Sequence, residues 1–326
     1  MKKIIFSFSL VVFLLSLCSC TSQVKELREI PYEVVGQLEE YPDSTFFSDI
    51  RHAEYEDGKL YLLDAERRDL VWVSEDFKQM DYVARHSEID LVMPISFTVR
   101  QDTAYICDVG AVNSLKIYTQ GKLVDNFRLF RFNEKRMAVS ESSLFLSLPT
   151  DSSCYLDISR IDTAKYFFRG KVVKEGDADR TIRLNDKHLF YDNGVLFTVA
   201  ESYPFIDKYD AKSGKHLETL DMSDISFIKA NLDYTATKPL DPKSYFIQIE
   251  DAYLSESYLY LLCPSFGDYY RCNTILKIDV TGKTMKPVGY FILPGKHYKS
   301  ICVSSDYLYA ICNNPCAIEK IELEDE

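Results

Sequence analysis

Short apolar runs separated by polar turns recur along the chain with a regular spacing. Each unit has a tight polar turn, a hydrophobic–aromatic pair, a few apolar residues, a loop and a second apolar run. The pairs are Leu60-Tyr61, Ala104-Tyr105, Leu144-Phe145, Leu196-Phe197, Leu259-Tyr260 and Leu308-Tyr309, at steps of 44, 40, 52, 63 and 49 residues. Runs of this length rich in β-branched and aromatic residues predict strands, and a period in this range predicts the blades of a propeller. In the first unit the expected strands are Ser48 to Glu56, Lys59 to Asp64, Asp69 to Ser74 and Met80 to Ala84. Asp57-Gly58 and Asn193-Gly194 mark two hairpins, because both central residues of such a turn need positive φ. The remaining turns at this place are Gln101-Asp102, Glu141-Ser142, Glu256-Ser257 and Ser305-Asp306. No helix longer than two turns is expected.

Four antiparallel strands, six times over and without crossover helices, give an all-β six-bladed β-propeller. The sixth unit supplies only three strands before the chain ends at Glu326. A spare candidate strand at about 29–36 precedes the first unit, and Ile30, Tyr32 and Val34 alternate along it. It is expected to pair with Ile318–Leu323 and close the last blade, removing two free sheet edges.

The first residues read as a targeting segment. Lys2 and Lys3 precede an apolar run from Ile4 to Leu17, the length of a signal core and short for a membrane span. The run ends in Leu17-Cys18-Ser19-Cys20, which resembles a bacterial lipobox. That resemblance implies cleavage after Ser19 and a lipid on Cys20. The organisation is then 1–19 signal peptide, 20–28 lipid-anchored tether and 29–326 propeller. No Asp and no acidic cluster follows Cys20, so the sequence resembles neither the inner-membrane retention signal nor the surface-export signal of bacterial lipoproteins; that resemblance implies an outer-membrane lipoprotein facing the periplasm.

Composition narrows the function classes. The net charge of −12 lacks the basic footprint that nucleic acid requires. The apolar fraction of 46% is ample for a core, and 23 Tyr with 20 Phe suit half-buried strands.

In a four-stranded meander, the second-to-third loops and the links between blades share one face. Here those segments are the long ones, so that face is where binding is expected. Arg67 and Arg68 lie in its first loop, Tyr203 in the fourth, and Phe266, Tyr269, Tyr270 and Arg271 in the fifth. Aromatic side chains beside an Arg suit peptide or sugar stacking.

The histidines stand at no ligand spacing, and no nucleophile, phosphate or dinucleotide motif occurs. No metal or cofactor is expected. Asp64 and Asp108 end the second strand in successive units, where a turn-capping role outweighs a paired-carboxylate one. Seven cysteines follow Cys20. Cys263 with Cys272, and Cys312 with Cys316, bracket equivalent loops and are disulfide candidates in an oxidising compartment. Free buried thiols, and a zinc site on the same four, are the alternatives.

The strand motifs Leu60-Tyr61-Leu62-Leu63-Asp64 and Ala104-Tyr105-Ile106-Cys107-Asp108, together with Cys20, resemble those of the TolB-like six-bladed propeller lipoproteins of Bacteroidales. The chain departs from them at Ala84-Arg85-His86-Ser87-Glu88, where many relatives carry a Gly-rich stretch, so no ligand role is carried over to that loop. The resemblance implies binding or scaffolding in the cell envelope. The expectation is a membrane-anchored protein that binds a protein or glycan partner; the alternative is an envelope hydrolase or lyase working in the central funnel.

Overall fold

The computed structural model describes residues 25–85, 91–160, 165–241, 244–265 and 271–323. Within them, six four-stranded antiparallel sheets form a six-bladed β-propeller. The chain opens with β1 (Tyr32–Leu38), which belongs to the last blade. Blade 1 is β2 (Ile50–Glu56), β3 (Lys59–Asp64), β4 (Asp69–Ser74) and β5 (Met80–Ala84). Blade 2 is β6 (Pro94–Arg100), β7 (Thr103–Val109), β8 (Asn113–Thr119) and β9 (Lys122–Arg128). Blade 3 is β10 (Ala138–Val139), β11 (Ser143–Leu146), β12 (Tyr155–Ser159) and β13 (Tyr166–Arg169). Helix α1 (Ala178–Leu184) lies in the link to blade 4, which is β14 (Lys187–Asp192), β15 (Val195–Ala200), β16 (Phe205–Asp210) and β17 (His216–Asp221). Helix α2 (Ser226–Ala236) lies in the link to blade 5, which is β18 (Asp251–Ser255), β19 (Tyr258–Ser265), β20 (Arg271–Asp279) and β21 (Lys286–Ile292). Blade 6 is β22 (Tyr298–Val303), β23 (Tyr307–Asn313) and β24 (Cys316–Leu323), completed by β1.

Burial explains the sequence pattern strand by strand. Each second strand is sandwiched between neighbouring blades on both faces, so it reads as a continuous apolar run such as Leu60–Leu63. Outermost strands meet solvent, and β9 is exposed at nearly every position. The core is therefore a set of layers between blades, for example Tyr61, Leu63, Phe97 and Ile106 between the first two. The expected hairpins hold. Asp57 and Gly58 have φ of 50° and 76°, and Asn193 and Gly194 have 45° and 83°.

Closure occurs as expected, with β1 antiparallel to β24 from Tyr32↔Leu323 to Leu38↔Ile318. Two details differ from the sequence expectation. The strand begins at Tyr32, because Glu29 and Ile30 instead lie along blade 5, where the Ile30 amide donates to Tyr290 O at 2.7 Å. The alternation also fails after Tyr32: a bulge between Val34 and Gly36 leaves Val34 exposed, while Ile30 is buried. Residues 25–28, expected as tether, already touch the propeller. The Lys25 amide donates to Asp224 O at 2.8 Å and Leu27 packs against the layer between blades 4 and 5.

Helix α2, eleven residues long, corrects the expectation of no helix beyond two turns. Its N-cap, Ile225, makes no side-chain bond, and its buried residues are Ile228, Asn231 and Thr235, so no apolar stripe marks it in the sequence. Tertiary contact holds it instead, with Asn231 donating to the carbonyl of Pro264. Among the described residues no helix is long and apolar enough to cross a membrane.

Candidate functional site

The first strands ring the propeller axis, and a buried ionic bridge crosses it. Arg136, just before β10, donates from Nε to Asp251 Oδ1 at 2.7 Å and from Nη2 to Asp251 Oδ2 at 2.6 Å. Its remaining donors reach Ala53 O at 2.8 Å and Ile301 O at 2.7 Å. Asp251 accepts further bonds from Ser300 Oγ and the Ile301 amide. One guanidinium from blade 3 thus ties together blades 1, 5 and 6. Burial alone would raise the Asp251 carboxyl and lower Arg136, but their mutual attraction outweighs it, so both are held charged.

Two histidines flank this bridge. Burial, reinforced by the charge of Arg136, pushes His52 down to about 4. Burial likewise holds His188 well below its ordinary value, against the pull of Asp251. Neither ring nitrogen of His188 has a hydrogen-bond partner, since Asp251 Oδ1 lies 3.6 Å away. The convergence of polar groups from five blades at the axis is what the histidine spacing could not reveal. The members of the bridge nonetheless spend their hydrogen bonds on one another.

Toward the long-loop face, the axis opens onto a second ionisable group. Glu201 accepts from Lys135 Nζ and from Tyr245 OH. Asp186 stands 3.6 Å from Arg131. Burial pushes Asp186 up to about 7, although Arg131 and Lys135 oppose it. Burial also pushes Glu250 up to about 7. On the opposite, tight-turn face a recess of about 170 Å³ is lined by Glu54, Arg100 and Tyr253. Burial raises Glu54 there to about 8.

A broad basin of about 770 Å³ lies on the long-loop face over blades 1 and 2, with Asn313 of blade 6 at its edge. Arg51, Glu66, Arg68, Val92 and Met93 line it. Its floor is fixed by Asp49, which holds Arg51 Nε at 3.1 Å, Lys299 Nζ at 2.6 Å and Asn313 Nδ2 at 3.2 Å. The loops around it are fixed by the residues ending the second strands. Asp64 accepts the amides of Ser48, Asp49 and Arg67, and Asp108 accepts those of Val92 and Met93. The capping role expected for both carboxylates is thus what the structure shows.

The candidates read from the sequence do not form one site. Arg68 faces the basin. Arg67 packs on the ring of Tyr41 at 4.1 Å and donates to Thr45 Oγ1 at 2.6 Å. Tyr203, in blade 4, stacks on Phe205 at 5.5 Å, and burial with the nearby Glu175 raises its phenol to about 12. Arg271 is the first residue of β20 rather than part of the loop expected there. Phe266, Tyr269, Tyr270 and Cys20 lie outside the described residues.

The disulfide candidates Cys263, Cys272, Cys312 and Cys316 carry free thiols in this structure, which is the alternative read from the sequence. Cys263 faces Thr274 across the β19–β20 ladder, one step from Cys272, and Cys312 faces Ala317 rather than Cys316. Cys312 Sγ instead donates to Pro315 O at 3.3 Å. Burial pushes the Cys263 thiol up to about 12 and Cys316 to about 11, which makes both poor nucleophiles at neutral pH. No cluster of three or more metal-ligating side chains occurs among the described residues.

No protein-family model and no curated protein matches the chain. Solved structures do match, at the level of fold. One is a protein of Bacteroides fragilis NCTC 9343, named only for its expected export, with a TM-score of 0.61 at 10% identity over 92% of this chain and 99% of that one. A protein of unknown function from Bacteroides thetaiotaomicron VPI-5482 gives 0.54 at 10% identity, over 92% of this chain and 75% of that one. Virginiamycin B lyase from Staphylococcus aureus also gives 0.54 at 10% identity, over 90% of this chain and 100% of that one.

Proposed function

We propose that this protein is an exported propeller, anchored in the cell envelope by a lipid on Cys20, that binds a protein or glycan partner through its long-loop face. The basin over blades 1 and 2 carries the proposal. It is open, it presents charges of both signs beside the exposed side chains of Val92 and Met93, and its walls are held by backbone-capping carboxylates. A rigid rim of that kind suits recognition, because little ordering is left to be done on binding. Placement in the outer membrane, facing the periplasm, follows from the residues after Cys20 and is part of the same proposal. The two Bacteroides proteins of the same fold, one named for export, are in keeping with it.

Envelope ligands retained on the immobilised protein should be lost from an Arg68→Asn, Met93→Asp variant. A drop of roughly tenfold in affinity, about 1.4 kcal/mol, is expected at an unchanged melting temperature. Asn keeps the left-handed backbone of Arg68, whose φ is 64°. Equal retention by the variant would move the site off this basin. For the anchor, Cys20→Ala should shift the protein from the membrane fraction to the soluble one. Persistence in the membrane with an unshifted mass would refute lipidation.

The second reading is an enzyme, and one observation favours it. Asp186 and Glu250, both held near 7 at the mouth of the axis, have the poise of a general acid or base at neutral pH. Turnover of an envelope substrate that disappears in Asp186→Asn and Glu250→Gln would replace the binding reading with this one.

A further inference from the structure

Another opening among the described residues lies on neither loop face. It is a cleft of about 570 Å³ in the side wall, between the outer strands of blades 2 and 3. Its depth is hydrocarbon, from Leu115 and Ile117 of β8 to Leu144, Leu156 and Ile158 of blade 3. On the blade 3 side the strands are short, with four residues each in β11 and β13. The rim keeps aromatic residues in solvent, with Phe130 62%, Tyr166 56% and Phe168 43% exposed. Phe130 and Phe168 meet edge to face at 5.8 Å across the opening. A contiguous exposed apolar patch of this kind marks a binding surface.

The charge at the rim is opposite to that of the chain. The protein carries −12 overall, yet Arg128 and Arg160 line this cleft against one carboxylate, Asp125. Arg160 Nη1 donates to Ser140 O at 2.7 Å, and the guanidinium lies 5.6 Å from the ring of Tyr105. Arg128 is exposed at the end of β9 and makes no side-chain hydrogen bond or ion pair among the described residues. A guanidinium with open donors is a ready partner for a carboxylate.

We propose that this cleft binds a single-chain amphiphile with an anionic head, a fatty acid, with its hydrocarbon between blades 2 and 3 and its carboxylate on Arg128. The cavity lies within the range of small-ligand pockets, about 300–1,000 Å³. A glycan is a poor fit, because aliphatic side chains form the walls and would leave its hydroxyls unpaired. A second copy of the chain is the competing occupant, and the test separates the two.

The full-length protein with Cys20→Ala, which carries no acyl chain of its own, is titrated with the fluorescent fatty acid cis-parinarate and then with palmitate as competitor. Saturable one-to-one binding is expected. Shortening the competitor should weaken it about fourfold per methylene removed, the effect of about 0.8 kcal/mol each. Phe168→Glu, an exposed change on β13, should reduce affinity roughly tenfold or more with the melting temperature unchanged. Arg128→Ala should weaken palmitate several-fold but leave hexadecanol unaffected, which isolates the head-group contact. The proposal falls if binding is unsaturable or is the same in Phe168→Glu. It falls equally if sedimentation shows a dimer that Phe168→Glu dissociates, for the cleft would then belong to a second copy.

Discussion

Arg136→Met should be among the most damaging single changes in this protein, at a cost of about 3–5 kcal/mol. The substitution leaves Asp251 at the axis, where its side chain is 1% exposed, without its two bonds to Arg136. Ala53 O and Ile301 O lose their donors at the same time. A buried charge without a partner costs far more than the pair gained by forming, so the single variant overstates the worth of the bridge. The double variant Arg136→Met, Asp251→Leu removes both charges and should recover most of the loss. Urea denaturation of the two singles and the double measures this directly as a coupling energy. A loss below about 1 kcal/mol for Arg136→Met would mean that water or a neighbour compensates Asp251, and that the axis is not held as described. Because Arg136 ties three blades together, binding on the long-loop face should weaken in parallel with stability. Substitutions in the basin should instead weaken binding alone.

The strands were legible in the sequence wherever local chemistry sets them. Asp57-Gly58 and Asn193-Gly194 fix their hairpins by backbone conformation, and the sandwiched second strands announce themselves by unbroken apolar runs. The axis was not legible, because Arg136 and Asp251 are 115 residues apart and neither stands in a motif. A signal did exist. His52, Arg136, His188, Asp251 and Ser300 all fall in or just before the first strand of their repeats, and superposing the six repeats would have shown polar residues recurring there. Helix α2 left no trace of periodicity because its buried positions include Asn231 and Thr235. The cleft was hidden for another reason. Its walls come from Leu115, Ile117, Leu144, Leu156 and Ile158, which read in the sequence as ordinary apolar strand positions of two separate repeats.

Removal of residues 21–38 should lower the melting temperature by about 10 °C or more. Strand β1 supplies every backbone partner on the outer side of β24, from Tyr32↔Leu323 to Leu38↔Ile318. Without it, Ile30 no longer covers blade 5, and the packing of Tyr32 and Leu38 against the layer containing Ile318 and Ile321 is lost. A buried apolar side chain contributes about 1.5–3 kcal/mol, so one fully buried and two half-buried residues amount to roughly 3–6 kcal/mol. At about 2–4 °C per kcal/mol for a domain approaching this size, the shift is of the order stated. Removal of residues 21–28 alone should cost less, because the ladder with β24 remains and the contacts of Lys25 and Leu27 are few. A point substitution tests the blade 5 contact separately. A Cβ on Gly289 would stand 2.7 Å from Ile30 Cδ1 and 3.0 Å from Arg28 O, so Gly289→Ala should push the segment outward while leaving β1 paired. Its shift should fall between those of wild type and the long deletion. If the long deletion melts with the wild type, ring closure does not depend on β1, and the three strands of blade 6 hold the ring without it.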